Sequence, residues 1–424
     1  MKILILGAGI IGVTSAYYLA KEGHEVSVID INNSPGQGCS YANGAQLSFC
    51  HIEPWINRAS IFNIIKNIFF INGSTSIHNL TDKNFLLWLL SFIRNSTNKN
   101  AIRNSKNLYK ISSYSRELFL KIINEEKIDF SFASSGILHF FRSDKELQKA
   151  IMFYKKIGIS FEYDILDRKQ TLIKEPSLSK VDSISPLAGS LFFKNDYSGN
   201  CELFTQNLAK ICHDKYKVKF IFNNKIQNIL TNKRKITGVN TDLGVFYADN
   251  YIYALGYRGI NLLKGIDINL KIKAIKGYSI SSDISNINNS PKIAICDTKN
   301  RIVYSKINNI YRMAGLAEIN NYSTNINPTK ISLINKIASD SFQNIGKINK
   351  DSFWCAHRPV SHNYLPIIKC ENKYGNLYLN TGHGSLGWTL SLASGMILNF
   401  LIAKKLPERF AFLQKTSNNI FLNK

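Results

Sequence analysis

Three glycines near the start of the chain have the spacing of a phosphate-binding turn. Gly7, Gly9 and Gly12 fit G-x-G-x-x-G; they follow the apolar run Lys2–Leu6 and open a helical pattern, Ile10–Lys21. In such a turn the first glycine allows a tight bend and the second lets the backbone approach a pyrophosphate. The third allows close packing of helix on strand. The helix start then offers free N–H groups and the positive end of its dipole to phosphates.

Asp30 ends the next predicted strand, Glu25–Ile29, roughly twenty residues further on, where a carboxylate accepts hydrogen bonds from ribose hydroxyls. Gly23 lies between the helix and this strand, where a left-handed turn residue is expected. A glycine-rich turn without a ligand would leave Asp30 unexplained. The order strand, helix, strand and acid therefore predicts a dinucleotide site, and it leaves NAD and FAD both open.

A second glycine-rich stretch lies near the other end of the chain. Gly382–Gly387 reads G-H-G-S-L-G, between a strand pattern, Leu377–Asn380, and a helical pattern that runs from about Gly387 to Lys404. N–H groups at such a helix start can stabilise the negative charge that a reduced flavin develops at its N1–C2=O edge. A nicotinamide has no such need, so this stretch favours FAD. His383 is interpreted as a capping or packed histidine without an acid–base role.

The elements that must position these residues form a mixed α/β pattern. At 424 residues the chain is too long for one ordinary core. A helical pattern dominates 51–130, including Lys106–Glu126, and strand patterns dominate from 136 to 318. We predict a discontinuous FAD-binding domain of doubly wound, Rossmann-like type from 1–50, 195–260 and 350–424. Residues 51–194 and 261–349 are predicted to form a second, α+β substrate domain on a mostly antiparallel sheet.

Composition argues against several other classes of protein. Lys and Arg number 53 against 29 Asp and Glu, a net charge of +24, but they are spread along the chain without a basic helix or stacking motif. Nucleic-acid binding is therefore not predicted. The seven cysteines form no C-x-x-C pair, so their spacing predicts neither a metal site nor a disulfide framework and suits a reducing compartment. The N-terminus does not read as a signal peptide.

One apolar run, Phe85–Ile93, has two interpretations. It is too short to span a membrane, which takes roughly 18 apolar residues or more, and is typical of a buried core helix. Lys83 and Arg94 flank it and 61–70 adds apolar residues, so contact with a membrane surface is the alternative. The predicted location is the cytoplasmic side, either soluble or peripherally associated with the inner membrane.

Further stretches of the chain resemble one enzyme family. The loop Ser40–Gln46 alone reads as a polar turn, but it is similar to the S-x-A-N-(A/G)-(G/A)-Q loop of the D-amino acid dehydrogenases. These are flavoproteins of the D-amino acid oxidase and glycine oxidase superfamily. The resemblance continues in the family's order and spans nearly the whole chain. The other stretches are Asn195–Ala209, Lys276–Ser279, Met313–Ile319, Trp354–Pro359 and Leu379–Trp388.

The resemblance implies FAD as the cofactor, with its ADP half held by the N-terminal unit. The loop Ser40–Gln46 would approach the pyrophosphate and the isoalloxazine. The strand pair around Ile226 would contact the adenine through its backbone, and Ala254–Gly256 would pass near the cofactor. The FAD-binding residues predicted from the resemblance and the glycine motifs are Ile3, Gly7, Ala8, Gly9, Ile10, Ile11, Gly12, Tyr17, Asp30, Ser40, Asn43, Gly44, Gln46, Ile226, Gly256, Gly382, His383, Gly384, Ser385, Leu386 and Gly387.

The resemblance also implies residues that bind the substrate. Arg358 matches the position that binds the substrate carboxylate in glycine-oxidase-like members, and arginine clamps a carboxylate bidentately. Arg312 is the second candidate; the alternative for each arginine is a surface salt bridge, which we favour for Arg312. Lys276 and Tyr278 lie on a strand that lines the substrate side in the superfamily, although a strand tyrosine is as often part of the core.

The activity implied is oxidative deamination of a small D-amino acid, such as D-alanine, to a 2-oxo acid and ammonia. A hydride passes from Cα to flavin N5, so no side chain is assigned as a catalytic acid or base. The electrons would go to a quinone-type acceptor. Three alternatives stay open: an oxygen-using glycine, sarcosine or D-amino acid oxidase, a degenerate flavin-binding structural partner, and an NAD-dependent dehydrogenase.

The sequence departs from the family around Arg358. The family's T-P-D-G-x-P stretch reads here Ser361–Pro366, with His362, Asn363 and Tyr364 in place of Pro, Asp and Gly. His357 replaces the leucine before the arginine, and Ala314 changes the family's R-V-G-G strand. These departures leave the substrate preference and the level of activity open.

Overall fold

A computed structural model describes residues 1–53, 73–285, 287 and 290–415. In chain order its strands are β1 Lys2–Leu6, β2 Glu25–Ile29, β3 Gln46–Leu47, β4 Thr75–Ile77, β5 Ile137–Phe141, β6 Asp164–Leu166, β7 Gly189–Phe193, β8 Tyr197–Ser198, β9 Lys219–Ile221, β10 Ile226–Asn232, β11 Lys235–Thr241, β12 Gly244–Phe246, β13 Asn250–Tyr253, β14 Ile272–Asp283, β15 Ala294–Asp297, β16 Ile302–Ile307, β17 Ile310–Ile319, β18 Lys347–Ser361, β19 Ile367–Cys370 and β20 Leu377–Thr381.

The α-helices are α1 Ile10–Lys21, α2 Lys83–Asn95, α3 Asn98–Glu126, α4 Asp144–Ile157, α5 Arg168–Lys174, α6 Ser179–Ile184, α7 Cys201–Tyr216, α8 Ile260–Lys264, α9 Pro328–Ser341, α10 Ser391–Ile402 and α11 Phe412–Lys415. Short 3-10 turns lie at Ser160–Glu162, Pro176–Leu178, Gly384–Leu386 and Glu408–Phe410.

The first sheet has six strands in the order β19-β20-β13-β1-β2-β9. The strands from β20 to β9 are parallel, and β19 pairs antiparallel with β20 at the edge. Parallel strands need crossover connections, so the chain leaves this sheet repeatedly and returns to it. The predicted β1–α1–β2 unit is confirmed, and all three of its elements have the predicted bounds. This unit lies at the centre of the sheet. A separate sheet, β10-β11-β12, contains the strand pair around Ile226.

The second sheet has nine strands and is mostly antiparallel. Its main path runs β18-β14-β17-β16-β15-β5-β7-β6, with β4 paired to β17. The 15-residue strand β18 was not predicted; its first residues, Lys347–Asp351, are polar except for Ile348, and its pairing along β14 defines it. The predicted mixed α/β fold class, a parallel sheet with a mostly antiparallel second sheet, is confirmed.

The largest hydrophobic core lies where helices cover the parallel sheet. Helices α1, α7 and α10 contribute Val13, Phe204, Leu208, Ile397 and Leu398, all fully buried. Gly395 of α10 lies so close to α1 that an added Cβ would be 2.7 Å from the Thr14 carbonyl oxygen. Because the N-terminal turn precedes α1 and the C-terminal glycine stretch precedes α10, this packing fixes the position of one relative to the other.

Candidate active site

The N-terminal glycine turn has the geometry that close approach to a phosphate requires. Gly7 has φ +108°, and a Cβ at Gly12 would lie 1.8 Å from the Gly7 carbonyl oxygen, so neither position accepts a side chain. Gly9 caps α1 without a side-chain hydrogen bond. An added Cβ at Gly9 would meet only the Ser40 Oγ, at 3.7 Å, so this side of the turn is open to a ligand.

Asp30 lies beside this turn at the end of β2. Its Oδ2 accepts the Ala8 N–H at 2.7 Å, and its Oδ1 accepts hydrogen bonds from the backbone and side chain of Asn32. The Asn224 N–H donates to the Asp30 carbonyl oxygen, which brings the start of β10 at Ile226 to this corner. The turn, the acid and the segment before Ile226 therefore share one edge of the sheet, as a nucleotide end requires.

The Ser40–Gln46 loop connects the glycine turn to the second sheet. Ser40 Oγ accepts the Ile10 N–H at 3.0 Å, and the Asn43 side chain accepts the Ala45 N–H. Gly44 packs so tightly that an added Cβ would lie 2.7 Å from Val303 Cγ2. Gln46 donates to the carbonyl oxygens of β15 and β16. Both ends of the loop are thus fixed, one at each sheet.

Arg358 lies on the face of the second sheet that receives this loop. Gly277 has no side chain, and an added Cβ there would be 2.2 Å from Arg358 Nη2. Ser279 lies two residues further along the same face of β14, and its Oγ donates to the Ala42 carbonyl oxygen. Arg358 Nη1 donates to Leu316 O at 3.1 Å. Burial lowers the pKa of the guanidinium to about 10, with Cys39 opposing, so it is charged at neutral pH.

Lys276 and Tyr278 point to the opposite face of β14. The Tyr278 hydroxyl donates to Glu318 Oε2 at 2.5 Å, and Lys276 Nζ lies 3.9 Å from the same oxygen and bonds the Asn325 carbonyl oxygen. Burial, and then the hydrogen bond to Glu318, raise the pKa of Tyr278. The structure therefore does not bring these two residues to Arg358. They form a buried ionic cluster behind the sheet.

Arg312 shares the loop-facing side of the second sheet, but lies away from Arg358. Its Nε is 3.4 Å from Ser281 Oγ, its Nη1 is buried without a hydrogen-bond partner, and burial lowers its pKa, with Glu202 the largest opposing influence. It is thus not a surface salt bridge. Two other predicted residues lie off the turn: Ile3 is buried within β1, and the Tyr17 hydroxyl bonds Glu126 on α3.

The C-terminal glycine stretch forms a 3-10 turn before α10. The prediction that the helix begins at about Gly387 was wrong: Gly384–Leu386 is a 3-10 turn, and the helix begins at Ser391. Gly382 and Gly384 both have positive φ, +79° and +58°, so the chain bends there more sharply than a direct entry into a helix allows. The predicted N–H donors therefore lie on a turn between β20 and α10.

His383 holds this turn in place. Its Nε2 lies 2.8 Å from Ser394 Oγ on α10, and burial lowers its pKa to about 3. The imidazole is therefore neutral at physiological pH, and the interpretation as a packed histidine fits this contact. Gly256, at the end of β13, has φ +60° and accepts a hydrogen bond from the Tyr253 hydroxyl at 2.7 Å.

A cavity between this turn and the second sheet contains residues that the motifs did not identify. His51, Glu53 and Tyr364 line it together with the Gly382–Leu386 turn. Burial raises the pKa of Glu53 to about 7, with Arg301 opposing. His51 and Glu53 follow the Ser40–Gln46 loop closely in the sequence, which is the one signal that places them near the site.

Comparisons with known proteins define the class. A family model described as "FAD dependent oxidoreductase" matches residues 2–401. The chain therefore belongs to this family of FAD-dependent oxidoreductases, and FAD as the predicted cofactor is confirmed. The glycine turn, its neighbouring acid and the two-sheet loop are the features of this structure that fit the group.

Among curated relatives, the chain is 34% identical over 411 residues to a D-amino acid dehydrogenase of Bradyrhizobium diazoefficiens, covering 96% of each. It is 33% identical to a D-amino acid dehydrogenase of Neisseria meningitidis serogroup A, covering 96% of this chain and 97% of the relative. These findings confirm the predicted family resemblance.

Solved structures show the same fold. Glycine oxidase from Bacillus cereus matches with a TM-score of 0.74 at 18% identity, covering 97% of each chain. L-proline dehydrogenase from P. horikoshii matches with a TM-score of 0.72 at 17% identity, covering 98% of each.

Proposed function

We propose that this flavoenzyme oxidises small D-amino acids, with D-alanine as a substrate, to the 2-oxo acid and ammonia. The observation that carries the proposal is the position of Arg358, a half-buried cation over Gly277 on the sheet face that receives the Ser40–Gln46 loop. The names of the relatives at 32–34% identity support the D stereopreference.

Arg358 is suited to bind the substrate carboxylate. A partly desolvated guanidinium attracts an anion more strongly than one in water does. Its hydrogen bond to Leu316 O fixes the orientation of the guanidinium plane. This orientation sets the direction from which a carboxylate can bind. Gly277 leaves the space that this plane occupies.

The rest of the site orients the substrate and excludes water. Bound FAD supplies the two-electron acceptor that takes a hydride from the substrate Cα. The Gly382–Gly387 turn would face the flavin edge that becomes negative, and the loop Ser40–Gln46 would lie along the pyrophosphate side. Water then hydrolyses the product imine to the 2-oxo acid and ammonia, without a side-chain nucleophile.

We further propose that the electrons leave to a quinone-type acceptor at a membrane surface. One face of α2 supports this proposal. On it Leu86, Leu87 and Leu90 are 43%, 66% and 65% exposed. Lys83 and Arg94 lie on the same face. Such an amphipathic face suits the boundary of an anionic membrane. The helices of the described ranges include none long and apolar enough to span a bilayer. The predicted segment 61–70 lies outside the described residues.

The test is anaerobic reduction of the purified flavoprotein. D- and L-alanine, glycine and sarcosine are each added, and the flavin absorbance is followed by stopped flow. We expect D-alanine to bleach the flavin and Arg358→Ala to lose about 10-fold to 100-fold in the second-order reduction rate, the value of a charged hydrogen bond. Arg234→Ala, on the exposed β10–β11 hairpin, is the matched control.

Other outcomes point to the alternatives. Reduction by glycine, sarcosine or L-alanine alone would overturn the D-specific proposal. Peroxide formation at the rate of turnover in air would favour an oxidase over a quinone-linked dehydrogenase. A flavin that no amino acid bleaches would favour the structural flavoprotein.

A further inference from the structure

Three metal-binding side chains meet beside the active-site cavity, although they come from distant parts of the sequence. They are His51 from the loop after β3, His139 from β5 and Cys296 from β15. One ligand atom from each lies within 4.8 Å of the other two. Cys296 and His139 are register partners in neighbouring parallel strands, and the two imidazole centroids are 4.9 Å apart. We propose that these three residues form a binding site for a zinc-class divalent metal ion.

The cluster contains a buried polar atom that needs a partner. His139 and Cys296 are both buried, and His139 Nε2 has no hydrogen-bond partner. An unsatisfied buried polar atom destabilises the fold, and a metal ion at the centre of the cluster would satisfy it. The remaining face of His139 packs on the Phe193 ring, with centroids 4.8 Å apart, which fixes the imidazole plane.

The donor set selects the metal. Two imidazole nitrogens and one sulfur suit zinc and are poor ligands for Mg²⁺ and Ca²⁺, which take oxygen. Binding displaces the thiol proton of Cys296, so one proton is released for each ion bound. Three protein ligands leave the fourth zinc position for a water or another small ligand.

The cluster must contract for a metal to bind, and His51 is the residue placed to move. Zinc bonds of about 2.0–2.3 Å put tetrahedral ligand atoms roughly 3.3–3.7 Å apart, so separations of up to 4.8 Å close by at most about 1 Å. His139 and Cys296 are held on paired strands, whereas His51 lies on a loop. Because His51 also lines the active-site cavity, zinc would draw that wall of the cavity toward the second sheet.

The test measures zinc on the flavin-loaded full chain. Metal is first removed with a chelator, and Zn²⁺ is then titrated in competition with a chromogenic chelator. X-ray absorption at the zinc edge identifies the ligands. We expect one zinc per chain, with one sulfur at about 2.3 Å and nitrogen at about 2.0–2.1 Å. His139→Gln and Cys296→Ser should each weaken binding at least about tenfold.

Two controls leave the cluster intact: His213→Gln, at an exposed position of α7, and Cys370→Ser on β19 should bind zinc as the unaltered chain does. His51→Gln, on the loop, gives a third ligand variant if a strand variant lowers flavin content or the thermal midpoint. The proposal is overturned if the unaltered chain retains no zinc, if the bound zinc has no sulfur ligand, or if the ligand variants match the controls.

Discussion

At the scale of single residues, Gly277 is the residue that gives Arg358 its place. A Cβ at position 277 would lie 2.2–2.7 Å from three guanidinium atoms, so Gly277→Ala displaces the guanidinium without altering its charge. We expect kcat/KM for D-alanine to fall about 10-fold to 100-fold, the value of one charged hydrogen bond, with the flavin content unchanged.

The control for this prediction is Gly375→Ala, where an added Cβ meets nothing within 4 Å. Steady-state kinetics and the flavin-to-protein absorbance ratio are compared for both variants. Equal kcat/KM in Gly277→Ala and the unaltered enzyme would mean that Arg358 does not act from the position seen here.

Tyr364 is a second residue that a single substitution can test. Its backbone and its side chain make opposite contributions to the stability of the fold. It has φ +63°, a left-handed conformation, at the position where the related family has glycine. That conformation costs about 1–2 kcal/mol for a residue with a Cβ. The ring packs against Phe92 of α2, with centroids 4.7 Å apart, which offsets part of the cost.

The expected order of stability follows from separating these two contributions. Tyr364→Ala loses the ring and keeps the strain, whereas Tyr364→Gly loses the ring and removes the strain. We therefore expect the alanine variant to be less stable than the glycine variant by about 1 kcal/mol in urea denaturation. An alanine variant as stable as the glycine variant would contradict the left-handed backbone at this position.

At the scale of elements, the exposed face of α2 can be tested directly. Leu87→Ser with Leu90→Ser removes two side chains that are 66% and 65% exposed, so the fold should keep its stability. If the face enters a membrane surface, binding to sedimented vesicles rich in phosphatidylglycerol should weaken about 30-fold to 1000-fold, since burying the exposed two thirds of each leucine contributes about 1–2 kcal/mol.

The matched control is Leu243→Ser, an equally exposed leucine, 65%, in the turn between β11 and β12. It should leave vesicle binding unchanged. Equal binding by the α2 variant and the control would assign the attraction to the net charge of +24 rather than to this helix.

Elements with local signals were predictable from the sequence, and those defined by distant partners were not. The unit β1–α1–β2 follows from adjacent glycines and apolar periodicity. The start of α10 was misplaced because Gly382 and Gly384 bend the chain first, and a pattern of apolar residues does not register that bend. The strand β18 begins with mostly polar residues, and its pairing with β14 makes it a strand.

The candidate site shows the same division between local and distant determinants. The resemblance to the family identified Arg358 and the Ser40–Gln46 loop as candidate site residues. The sequence did not indicate that Lys276 and Tyr278 face Glu318. Which side of a strand faces the site depends on the elements that pack on each side. The cluster of His51, His139 and Cys296 gives no spacing signal either, since three separate segments supply it.

At the scale of the whole molecule, buried histidines should make the protein sensitive to acid. Burial strongly lowers the pKa of His51, His139, His362 and His383. Each imidazole is neutral in the folded chain but takes up a proton in the unfolded chain below pH 6.5, its ordinary pKa. Their stabilising contribution is therefore complete above about pH 7 and is lost as the pH falls toward the lowered values.

Two buried acids oppose this trend. Burial raises the pKa of Asp196 to about 8 and that of Glu53 to about 7, so both are protonated in the folded chain at pH 5.5–6.5 and ionised in the unfolded one. At pH 6.5 the unfolded imidazoles are half protonated, so the protons gained and lost on unfolding nearly cancel. By pH 5.5 nearly four are gained against two lost, so the loss of stability should steepen from near zero at pH 6.5 to roughly 2 kcal/mol per pH unit at pH 5.5. Urea denaturation of the flavin-loaded, chelator-treated protein in that range measures this slope.

His383→Gln isolates one imidazole from this sum. Glutamine can still donate a hydrogen bond to Ser394, but it does not titrate, so the slope at pH 5.5 should decrease by about 1.2 kcal/mol per pH unit. His213→Gln, at an exposed imidazole on α7, should leave the slope unchanged. If stability instead rises on acidification, or if both variants have the slope of the unaltered protein, the buried imidazoles do not control the acid sensitivity.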